Sequence, residues 1–526
     1  MAAGLGAAAK LDNCAKRIFC IIGDGESREG QISEALDFIL DHNLHNVLPI
    51  FNCNAYAQSD KVSRQQTAEY TAKKLEAIGY EVKVIDGHNP MQVKQALDAH
   101  AQRAENPSGG KPIAIVANTV KGWGADSMQG HGHHGTPVEK NQLESTFAEL
   151  DETAKKVGAA FTAEDLRIPA ITASVNPGAA PEAGGELPTF TDAMKRLGKD
   201  SVLAKGKWAP RRAYGVALRA LGHFDNRIVV LDADVKNSTF AEDFAKDTAL
   251  NSRFLECRIA EQNMVSVAAG LSAAGKIPFA STFAKFFTRA YDQIEMGINS
   301  GANLKLVGSH SGVSLAADGP SQMSLPDIAW FRAFTGVKLP DGRPAMHLLQ
   351  PADAFAAYAL LLKMAEHDGP AYMRTMRPDV PFLYNDNTTF SLGGHEVIAQ
   401  GKHLLILASG YMVHEASKAL DALDQAGVDA TLVDLYSLPF NEKAILDLAQ
   451  ENNGMILTIE DNYGAGFGSA VADALAADGG GFTLKQMTVT TVPKSGRTPD
   501  EVLAYLGLSA QDIVKAVQDL LQAAGA

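Results

Sequence analysis

The stretch from Arg17 to Tyr56 constrains the fold most strongly, because its pattern is that of a strand, a tight turn, a helix and a second strand. The apolar run RIFCIIGDGE leads into Gly23, Asp24 and Gly25, and VLPIFNCNAY forms a second apolar run after the helical segment. Glycines at such a turn let the backbone bend sharply, and they let a phosphate approach the amide groups at the start of the following helix. This stretch therefore predicts a parallel α/β sheet with a ligand site at its carboxyl edge.

Asp24 and Asn54 stand at the ends of the two predicted strands. Neighbouring parallel strands end at the same edge of a sheet, so one strand–helix–strand unit brings these two side chains together. A carboxylate, an amide oxygen and the nearby Tyr56 carbonyl are oxygen donors that suit Mg²⁺ or Ca²⁺ carrying a diphosphate. By itself, however, a Gly-Asp-Gly turn is equally typical of a strand that simply ends.

Composition narrows the class of protein. The chain has 526 residues with 46% hydrophobic content, which is enough for about three domains with separate cores. We expect no membrane segment and a cytoplasmic location, because the apolar stretches have strand length and MAAGLGAAAK is too short and weakly apolar for a signal peptide. The net charge of −14 argues against nucleic acid as a partner. The cysteines lack metal-type spacing, which is typical of isolated thiols in a reducing compartment, and they are Cys14, Cys20, Cys53 and Cys257.

Alternating strand and helix patterns indicate α/β regions separated by a segment of different composition. The segment IPAITASVNPGAAPEAGGELP is rich in Pro, Ala and Gly, which predicts a linker with little structure of its own. Strand patterns such as PIAIVANTV, RIVVLDADV and HLLILASG lie in the successive regions. The predicted boundaries are 1–156 for the first domain, 157–205 for the linker, 206–382 for the second domain and 383–526 for a smaller third domain.

Several motifs carry a resemblance to a known family. GDGESREG followed by NCN resembles the diphosphate- and metal-binding motif of thiamine diphosphate enzymes. ECRIAEQNM, ASTFAKFF and GSHSGVSLAADGPSQM resemble transketolase, specifically its shorter animal-like branch, and the similarity runs from about Gly4 to the C-terminus. The resemblance implies two thiamine diphosphate-binding-type parallel-sheet domains, the first shortened at its N-terminus, and a smaller C-terminal α/β domain. It also implies a homodimer that binds the cofactor between the first domain of one chain and the second domain of its partner.

The resemblance implies an activity as well. A transketolase of the pentose phosphate pathway transfers a two-carbon ketol unit from a ketose phosphate to an aldose phosphate through a thiamine diphosphate enamine. Relative to the family pattern, this sequence begins within the helix that contains Gly4 and Gly6, so a preceding segment with cofactor-contacting histidines is absent from it. Two alternatives therefore stay open: a non-catalytic transketolase-like protein, and one subunit of a two-chain enzyme whose second chain supplies that segment.

In the first domain, the resemblance assigns the metal to Asp24, Asn54 and Tyr56. It implies that Glu29 and Glu34 form a carboxylate relay near the dimer contact. In KGWGADSMQGHGHHGTPV, His131 and His133 fit solvated loop residues better than a zinc site, whose paired spacing they lack. The resemblance assigns a catalytic role to His134, near the reacting end of the substrate. It also implies cofactor contacts from Gly23, Gly25, Glu26, Glu29, Glu34 and Lys121.

In the second domain, Glu261 opens a predicted helix, a position typical of a surface residue favoured by the helix dipole. The resemblance implies instead that Glu261 hydrogen-bonds the aminopyrimidine ring of the cofactor and drives the proton exchange that activates it. Phe283 and Phe286 have the spacing of ordinary core residues, and by resemblance they form the apolar slot for that ring. Asp234, after RIVVLDADV, is a further implied cofactor contact.

The residues that the resemblance assigns to the sugar phosphate are widely spaced. Singly, each has the pattern of a solvated surface group, and Asp318 also that of a helix cap. Together they supply the guanidinium forks and hydrogen-bond donors that suit a phosphate. His310 is in addition a catalytic candidate, and Gln322 is the mark of the animal-like branch. The implied set is Arg211, Ser238, His310, Asp318, Gln322 and Arg377.

Overall fold

The computed structural model describes residues 1–130, 132–159, 164, 167 and 186–524. The chain divides into two compact units, Met1–Ala179 and Ala180–Ala526. Among the described residues, no helix combines the length and the apolar character that a membrane crossing needs. The cysteines Cys14, Cys20, Cys53 and Cys257 are free thiols, as the sequence predicts.

A parallel sheet with helices around it forms the first unit. The strands are β1 (Ile18–Gly23), β2 (Val47–Cys53), β3 (Glu81–Asp86) and β4 (Ile113–Asn118). The helices are α1 (Ala2–Leu11), α2 (Gly30–Asp41), α3 (Ala68–Ile78), α4 (Pro90–Glu105) and α5 (Leu143–Lys156). The strand order β1-β2-β4-β3 confirms the predicted parallel strand–helix–strand arrangement.

Burial is uneven across this sheet. The central strands β2 and β4 are almost entirely buried, and Leu48 and Ile115 belong to the core of the unit. On the edge strand β1, in contrast, Phe19 and Ile21 are exposed. The carboxyl ends of β1 and β2 lie side by side, since Gly23 pairs with Asn52, and this edge carries the residues discussed below.

The predicted linker is partly helical, which corrects the expectation that residues 157–205 have little structure of their own. Its C-terminal part forms α6 (Phe190–Arg196) and α7 (Asp200–Lys205). The physical reason is that Phe190, Ala193 and Met194 lie on one helical face and are buried in the core of the second unit. Most of the Pro- and Ala-rich segment before Glu186 lies outside the described residues.

The second unit contains a large sheet of mostly parallel, buried strands. The elements before the third sheet are β5 (Lys207–Trp208), α8 (Pro210–Phe224), β6 (Ile228–Asp232), α9 (Lys236–Thr239), α10 (Glu242–Ala245), β7 (Phe254–Glu256), α11 (Glu261–Ala273), β8 (Ile277–Phe283), α12 (Tyr291–Asn299), β9 (Lys305–Ser309), α13 (Asp327–Thr335), β10 (His347–Leu349), α14 (Ala354–Glu366), β11 (Ala371–Thr375) and β12 (Val380–Pro381). The strand order β10-β11-β9-β8-β6-β7 places the ends of β8 and β9 next to each other. Leu218 of α8 and Leu361 of α14 pack in the core beside this sheet.

Apart from the two-stranded pairing of β5 with β12, a third sheet, of five strands, follows in the same unit. Its region contains β13 (Glu396–Ala399), β14 (Leu404–Ala408), α15 (Tyr411–Gln425), β15 (Ala430–Asp434), β16 (Ser437–Leu438), α16 (Glu442–Glu451), β17 (Met455–Ile459), α17 (Phe467–Asp478), β18 (Thr483–Met487), α18 (Pro499–Leu506) and α19 (Ala510–Ala524). The strand order β13-β15-β14-β17-β18 is parallel except for β13, which agrees with the predicted smaller α/β domain. The short β16 pairs instead with β10, so this region adds a strand to the large sheet.

Candidate active site

In the first unit, the fold brings Asp24 and the loop after β2 together, as predicted. Asp24 is buried at the end of β1, and its Oδ2 accepts a hydrogen bond of 2.6 Å from the Ala55 N–H. Its Oδ1 accepts a bond of 2.8 Å from the Gly25 N–H. Asn54 Oδ1 accepts from the Tyr56 N–H at 3.0 Å, so a carboxylate and an amide oxygen lie on adjoining turns.

The glycine turn has a steric reason as well as a conformational one. A Cβ added at Gly25 would lie 3.1 Å from the Cβ of Ala57, so a larger residue would push the two loops apart. The Gly23 N–H donates to Glu26 Oε2 at 2.9 Å, which closes the turn. The predicted residues Gly23, Gly25 and Glu26 therefore form one compact bend after β1.

Gln66 supports this bend, and sequence reasoning missed it. Its buried Nε2 donates to the carbonyl oxygens of Asp24 at 2.9 Å and of Gly25 at 3.0 Å. Ser63 and Gln66 form a capping box, in which each residue satisfies the other's backbone N–H. The spacing of Ser63 and Gln66 was the available signal in the sequence.

The donor set at this edge fits a hard divalent cation. Burial raises the pKa of Asp24, against the opposing hydrogen bonds from the Ala55 and Gly25 amides, and a bound cation would favour the ionised carboxylate. The carboxylate oxygens, Asn54 Oδ1 and the Tyr56 carbonyl are oxygen donors of the kind that Mg²⁺ and Ca²⁺ prefer. Among the described residues, no group of three or more His, Cys, Asp and Glu side chains forms another candidate metal site.

Lys121 and His134 lie beside the same loop. Lys121 Nζ is 3.4 Å from His134 Nδ1 and 3.5 Å from the carbonyl oxygen of Ala57. The Lys121 ammonium also lies 5.9 Å from the centre of the Tyr56 ring. His134 is exposed and Lys121 is half-buried, so both side chains are accessible to an anionic ligand.

The other predicted residues of the first unit lie at the start of α2 and in the histidine-containing loop. Glu29 is the exposed residue directly before α2, and the half-buried Glu34 lies within that helix. His133 is half-buried in its loop, and His131 lies outside the described residues. Burial therefore does not distinguish a functional role for these side chains.

In the second unit, Glu261 is the first residue of α11, as predicted, but it is not a surface residue. It is 2% exposed, and its Oε1 accepts a hydrogen bond of 2.9 Å from Arg289 Nη1. Arg289 in turn lies over the Phe286 ring, 4.7 Å from the ring centre. Sequence reasoning missed Arg289, because nothing in its local pattern links it to Glu261.

Phe286, Phe283 and His310 form a row of stacked rings. The centres of the Phe283 and Phe286 rings are 5.2 Å apart with an angle of 22° between the planes, and those of Phe283 and His310 are 4.0 Å apart at 30°. Phe283 and His310 are buried, whereas Phe286 is half-buried and available to a ligand. The row joins the ends of β8 and β9, and it provides flat apolar surface for an aromatic ring.

His310 is held in one orientation and in its neutral form. Its backbone is left-handed, with φ of 59°, and its Nδ1 lies 2.9 Å from Ser309 Oγ. Burial, reinforced by the positive charges of Arg211 and Arg377, lowers its pKa from 6.5 to about 3. The imidazole is therefore neutral near pH 7, where it offers one nitrogen as a hydrogen-bond acceptor.

The fold also gathers the predicted anion-binding residues. Arg211 Nη1 donates to the Ser238 carbonyl at 2.7 Å, and Arg211 Nε donates to the Arg377 carbonyl at 3.2 Å. Burial, with the nearby charges of Arg212 and Arg377, lowers the pKa of Arg211 to about 10. A guanidinium that is partly desolvated and close to other cations is stabilised by a bound anion. Sequence reasoning missed Arg212, although the Arg211-Arg212 pair was visible in PRRAYG.

Asp318, Gln322 and Asp234 complete the predicted set. Asp318 is not a helix cap: it lies within the short 3₁₀ helix Ala316–Asp318, and its carboxylate forms an ion pair of 3.2 Å with Arg377. Gln322 is half-buried in the following loop. Asp234 is exposed after β6, in a left-handed conformation with φ of 65°. The structure thus places Asp318 with the arginines, and within the described part of the chain no side-chain hydrogen bond or ion pair fixes Gln322 or Asp234.

Comparison with known proteins gives matches along nearly the whole chain. The transketolase thiamine diphosphate binding domain matches residues 6–160, the transketolase pyrimidine binding domain matches 207–381, and the transketolase C-terminal domain matches 393–513. Transketolase of Mus musculus is 36% identical over 534 residues, an alignment that covers 98% of this chain and 79% of the mouse protein.

Solved structures give the same result. A split gene transketolase, solved as an inactive beta4 tetramer, is 37% identical, covers 60% of this chain and 98% of its own, and has a TM-score of 0.52. A transketolase from Pichia stipitis in complex with sedoheptulose-7-phosphate is 18% identical, with a TM-score of 0.74 over 99% of this chain and 80% of that chain. At that identity the second likeness shows a shared fold, with the three-part α/β architecture described above.

Proposed function

Because this chain belongs to the transketolase family, we propose that it is an active transketolase that transfers a two-carbon ketol unit from a ketose phosphate to an aldose phosphate. The observation that carries the proposal is the burial of Glu261 beside the aromatic row. Arg289 connects the two features, since it binds Glu261 and lies over Phe286. A buried glutamate next to a flat apolar slot suits the recognition of a protonatable aromatic ring.

Thiamine diphosphate is the cofactor that we propose for this slot. When bound, it supplies the nucleophilic carbon and the electron sink that cleavage of the ketose C2–C3 bond requires. Glu261 would hold the proton at the ring nitrogen of the aminopyrimidine, and Phe286, backed by the buried Phe283, would offer the ring a flat apolar surface and exclude water. Asp234, exposed after β6, is a weaker candidate for a cofactor contact.

In the first unit, the proposal assigns the diphosphate end of the cofactor to the glycine turn. Asp24, Asn54 and the Tyr56 carbonyl hold Mg²⁺ or Ca²⁺, because they are the oxygen donors that the turn brings together. The Lys121 ammonium neutralises part of the diphosphate charge, and the glycines of the turn let the diphosphate approach the backbone. The proposed contacts are Gly23, Gly25, Glu26 and Lys121, with Glu29 and Glu34 as a carboxylate relay.

The proposed substrates are sugar phosphates. Arg211, Arg377 and Ser238 bind the phosphate, and Asp318 and Gln322 bind sugar hydroxyls. The neutral His310 accepts a hydrogen bond or a proton from a substrate hydroxyl, and the exposed His134 handles a proton at the reacting end.

We include in the proposal a homodimer and a cytoplasmic location. Ile259, Tyr291 and Met296, which flank or lie on α11 and α12, are exposed apolar side chains of the kind that a subunit interface covers. The free thiols support a reducing compartment.

The test is a coupled assay of ketol transfer from xylulose 5-phosphate to ribose 5-phosphate, with thiamine diphosphate and Mg²⁺ supplied. Glu261→Gln keeps the shape of the side chain but removes its charge, and we expect the rate to fall about 100-fold or more, the size of a lost proton-transfer group. Glu366→Gln is the matched control, because it removes an exposed carboxylate from α14 and should leave the rate unchanged.

The possible outcomes separate the alternatives. Equal rates for the wild type and Glu261→Gln would contradict the assigned role of Glu261. A folded wild type that binds the cofactor without turnover would identify a non-catalytic relative. Activity that arises only when a second chain is added would identify one subunit of a two-chain enzyme.

A further inference from the structure

Four arginines line one cavity of about 300 Å³ in the second unit. They come from three parts of the chain: Arg211 and Arg212 begin α8, Arg377 follows β11, and Arg497 precedes α18. Among the described residues that line this four-arginine cavity, Asp379 is the only acidic one. Arg211 and Arg377 belong to the proposed phosphate site, whereas nothing in the sequence pattern or the family resemblance assigns Arg497 a role.

The inner arginines are anchored by the protein itself. The Arg211 guanidinium is bound to backbone carbonyls, and Arg377 pairs with Asp318. Arg212 lies 3.8 Å from Asp379, and its Nε is buried without a hydrogen-bond partner in the described part of the chain. In contrast, the Arg497 guanidinium is exposed and has no hydrogen bond or ion pair with any described residue. Its hydrogen-bond donors are therefore available to a ligand.

Specific contacts bring Arg497 to the cavity. The Gly496 N–H donates to the Ala316 carbonyl at 3.4 Å, and the Arg497 N–H donates to Glu501 Oε2 at 2.9 Å. Gly319 has a φ of 75°, which favours glycine, and an added Cβ would lie 2.2 Å from Ser495 Oγ, so this loop approaches Gly319 closely. The loop that precedes α18 thus contacts the wall of the cavity, and its exposed Arg497 is part of the cavity lining.

The charges around the cavity suit an anionic group. Of the four guanidinium groups, Arg377 pairs with Asp318 and Arg212 lies 3.8 Å from Asp379, and the Glu501 carboxylate accepts from the Arg497 N–H, so the surroundings keep a net positive charge. A sugar phosphate carries a charge of about −2 near neutral pH. Resting on the proposed function, we propose that Arg497 is a specificity-determining residue. From the loop that precedes α18, its guanidinium contacts the substrate phosphate in the four-arginine cavity.

The test uses the full chain with thiamine diphosphate and Mg²⁺, and it compares ribose 5-phosphate with ribose as acceptor. In Arg497→Ala, we expect KM for ribose 5-phosphate to rise about 5- to 20-fold, the effect of losing one charge-assisted contact, with a much smaller change for ribose. The value of kcat should change by less than about twofold, because the contact is equally present in the ground state and the transition state. Arg497→Lys should restore part of the affinity.

Lys494→Ala is the matched control. It removes the same charge from the same loop, but Lys494 lies over Tyr505 and does not line the cavity, so its KM should equal that of the wild type. An equal rise in KM for both variants would overturn the proposal in favour of a general electrostatic effect. An unchanged KM in Arg497→Ala would overturn it while leaving the transketolase activity established.

A binding measurement keeps the proposal separate from the proposed function. Calorimetric titration of the full chain with ribose 5-phosphate needs no turnover. If the wild type shows no ketol transfer but binds ribose 5-phosphate more tightly than ribose, a 5- to 20-fold weaker affinity in Arg497→Ala, roughly the same loss as above, supports the role of Arg497. Equal binding by the variant, or a wild type that does not distinguish ribose 5-phosphate from ribose, overturns it.

Discussion

The proposed site has a first half, made of the residues of the first unit, and a second half, made of the residues of the second unit. The fold alone fixes the side chains of the two halves to different degrees. In the second unit, Glu261, Phe283 and His310 are 2%, 8% and 3% exposed, and each contacts another site residue. In the first unit, Asp24 is buried, but His134 is exposed and contacts mainly a half-buried lysine. The first half therefore combines one buried carboxylate with the accessible side chains of Lys121 and His134.

The surrounding sheets show the same contrast. In the second unit, β6, β8, β9 and β11 are buried along their full length. In the first unit, β1 and β3 are only partly covered. A sheet that is closely packed on both faces fixes its side chains before a ligand binds. In a sheet that is only partly covered, the side chains become ordered when the ligand binds. We infer that the second half is preorganised for an apolar ring and that the first half depends on the metal and diphosphate for its order.

The largest expected effect is on the free energy of unfolding, and it concerns a buried ion pair next to the second half of the site. Arg374 on β11 is completely buried and donates to Asp327 Oδ2 at 2.8 Å. It pairs across the sheet with Gly308, close to His310. Arg374→Met leaves the Asp327 charge buried and unpaired, so we expect the free energy of unfolding to fall by about 3–5 kcal/mol in chemical denaturation.

A surface pair provides the control for this prediction. Arg332 on α13 pairs with Asp473, whose side chain is 75% exposed, and Arg332→Met should cost less than about 1 kcal/mol. Adding Asp327→Leu to Arg374→Met removes the unpaired charge and should recover much of the loss. A small effect of Arg374→Met alone would mean that the second half is not supported by this buried pair.

The next effect tests whether the first half depends on a cation. Asp24→Asn keeps the size of the side chain but removes its charge, so the affinity for Mg²⁺ in the presence of thiamine diphosphate should fall about 10- to 100-fold. Calorimetric titration measures this affinity directly. Asp37→Asn removes an exposed carboxylate from α2 and should bind Mg²⁺ as the wild type does. Equal Mg²⁺ affinity in Asp24→Asn and the wild type would exclude Asp24 as a metal ligand.

The features that could be predicted from the sequence are those that depend on neighbours along the chain. The strand, turn and helix around Asp24 have a local pattern, and the same holds for the helix that begins at Glu261. The helix at Phe190–Arg196 was missed because the Pro- and Ala-rich composition before it predicts a linker with little structure. Its apolar spacing was nevertheless a usable signal.

The features that could not be predicted depend on tertiary packing. Arg289 donates to Glu261, and Arg497 lines the same cavity as the other three arginines, only because distant segments of the chain pack against each other. The two-residue strand β16 is too short to have a recognisable pattern. Whether a polar residue such as Glu261 or His310 is exposed or buried is likewise a property of the fold, and it decides between a surface role and a role in the site.

The smallest effect follows from the burial of His310. Burial, with the charges of Arg211 and Arg377, lowers the pKa of His310 from 6.5 to about 3, so at pH 5.5 the unfolded chain binds a proton there that the folded chain does not. Stability therefore falls as the pH is lowered through 6.5. This residue should contribute a decrease of about 1.4 kcal/mol between pH 7.5 and pH 5.5. Chemical denaturation of His310→Asn, which tolerates the left-handed backbone, should show a decrease smaller by that amount. An identical decrease in both proteins would mean that the ring is not held neutral, and the contrast between a preorganised second half and a ligand-ordered first half would lose its clearest electrostatic support.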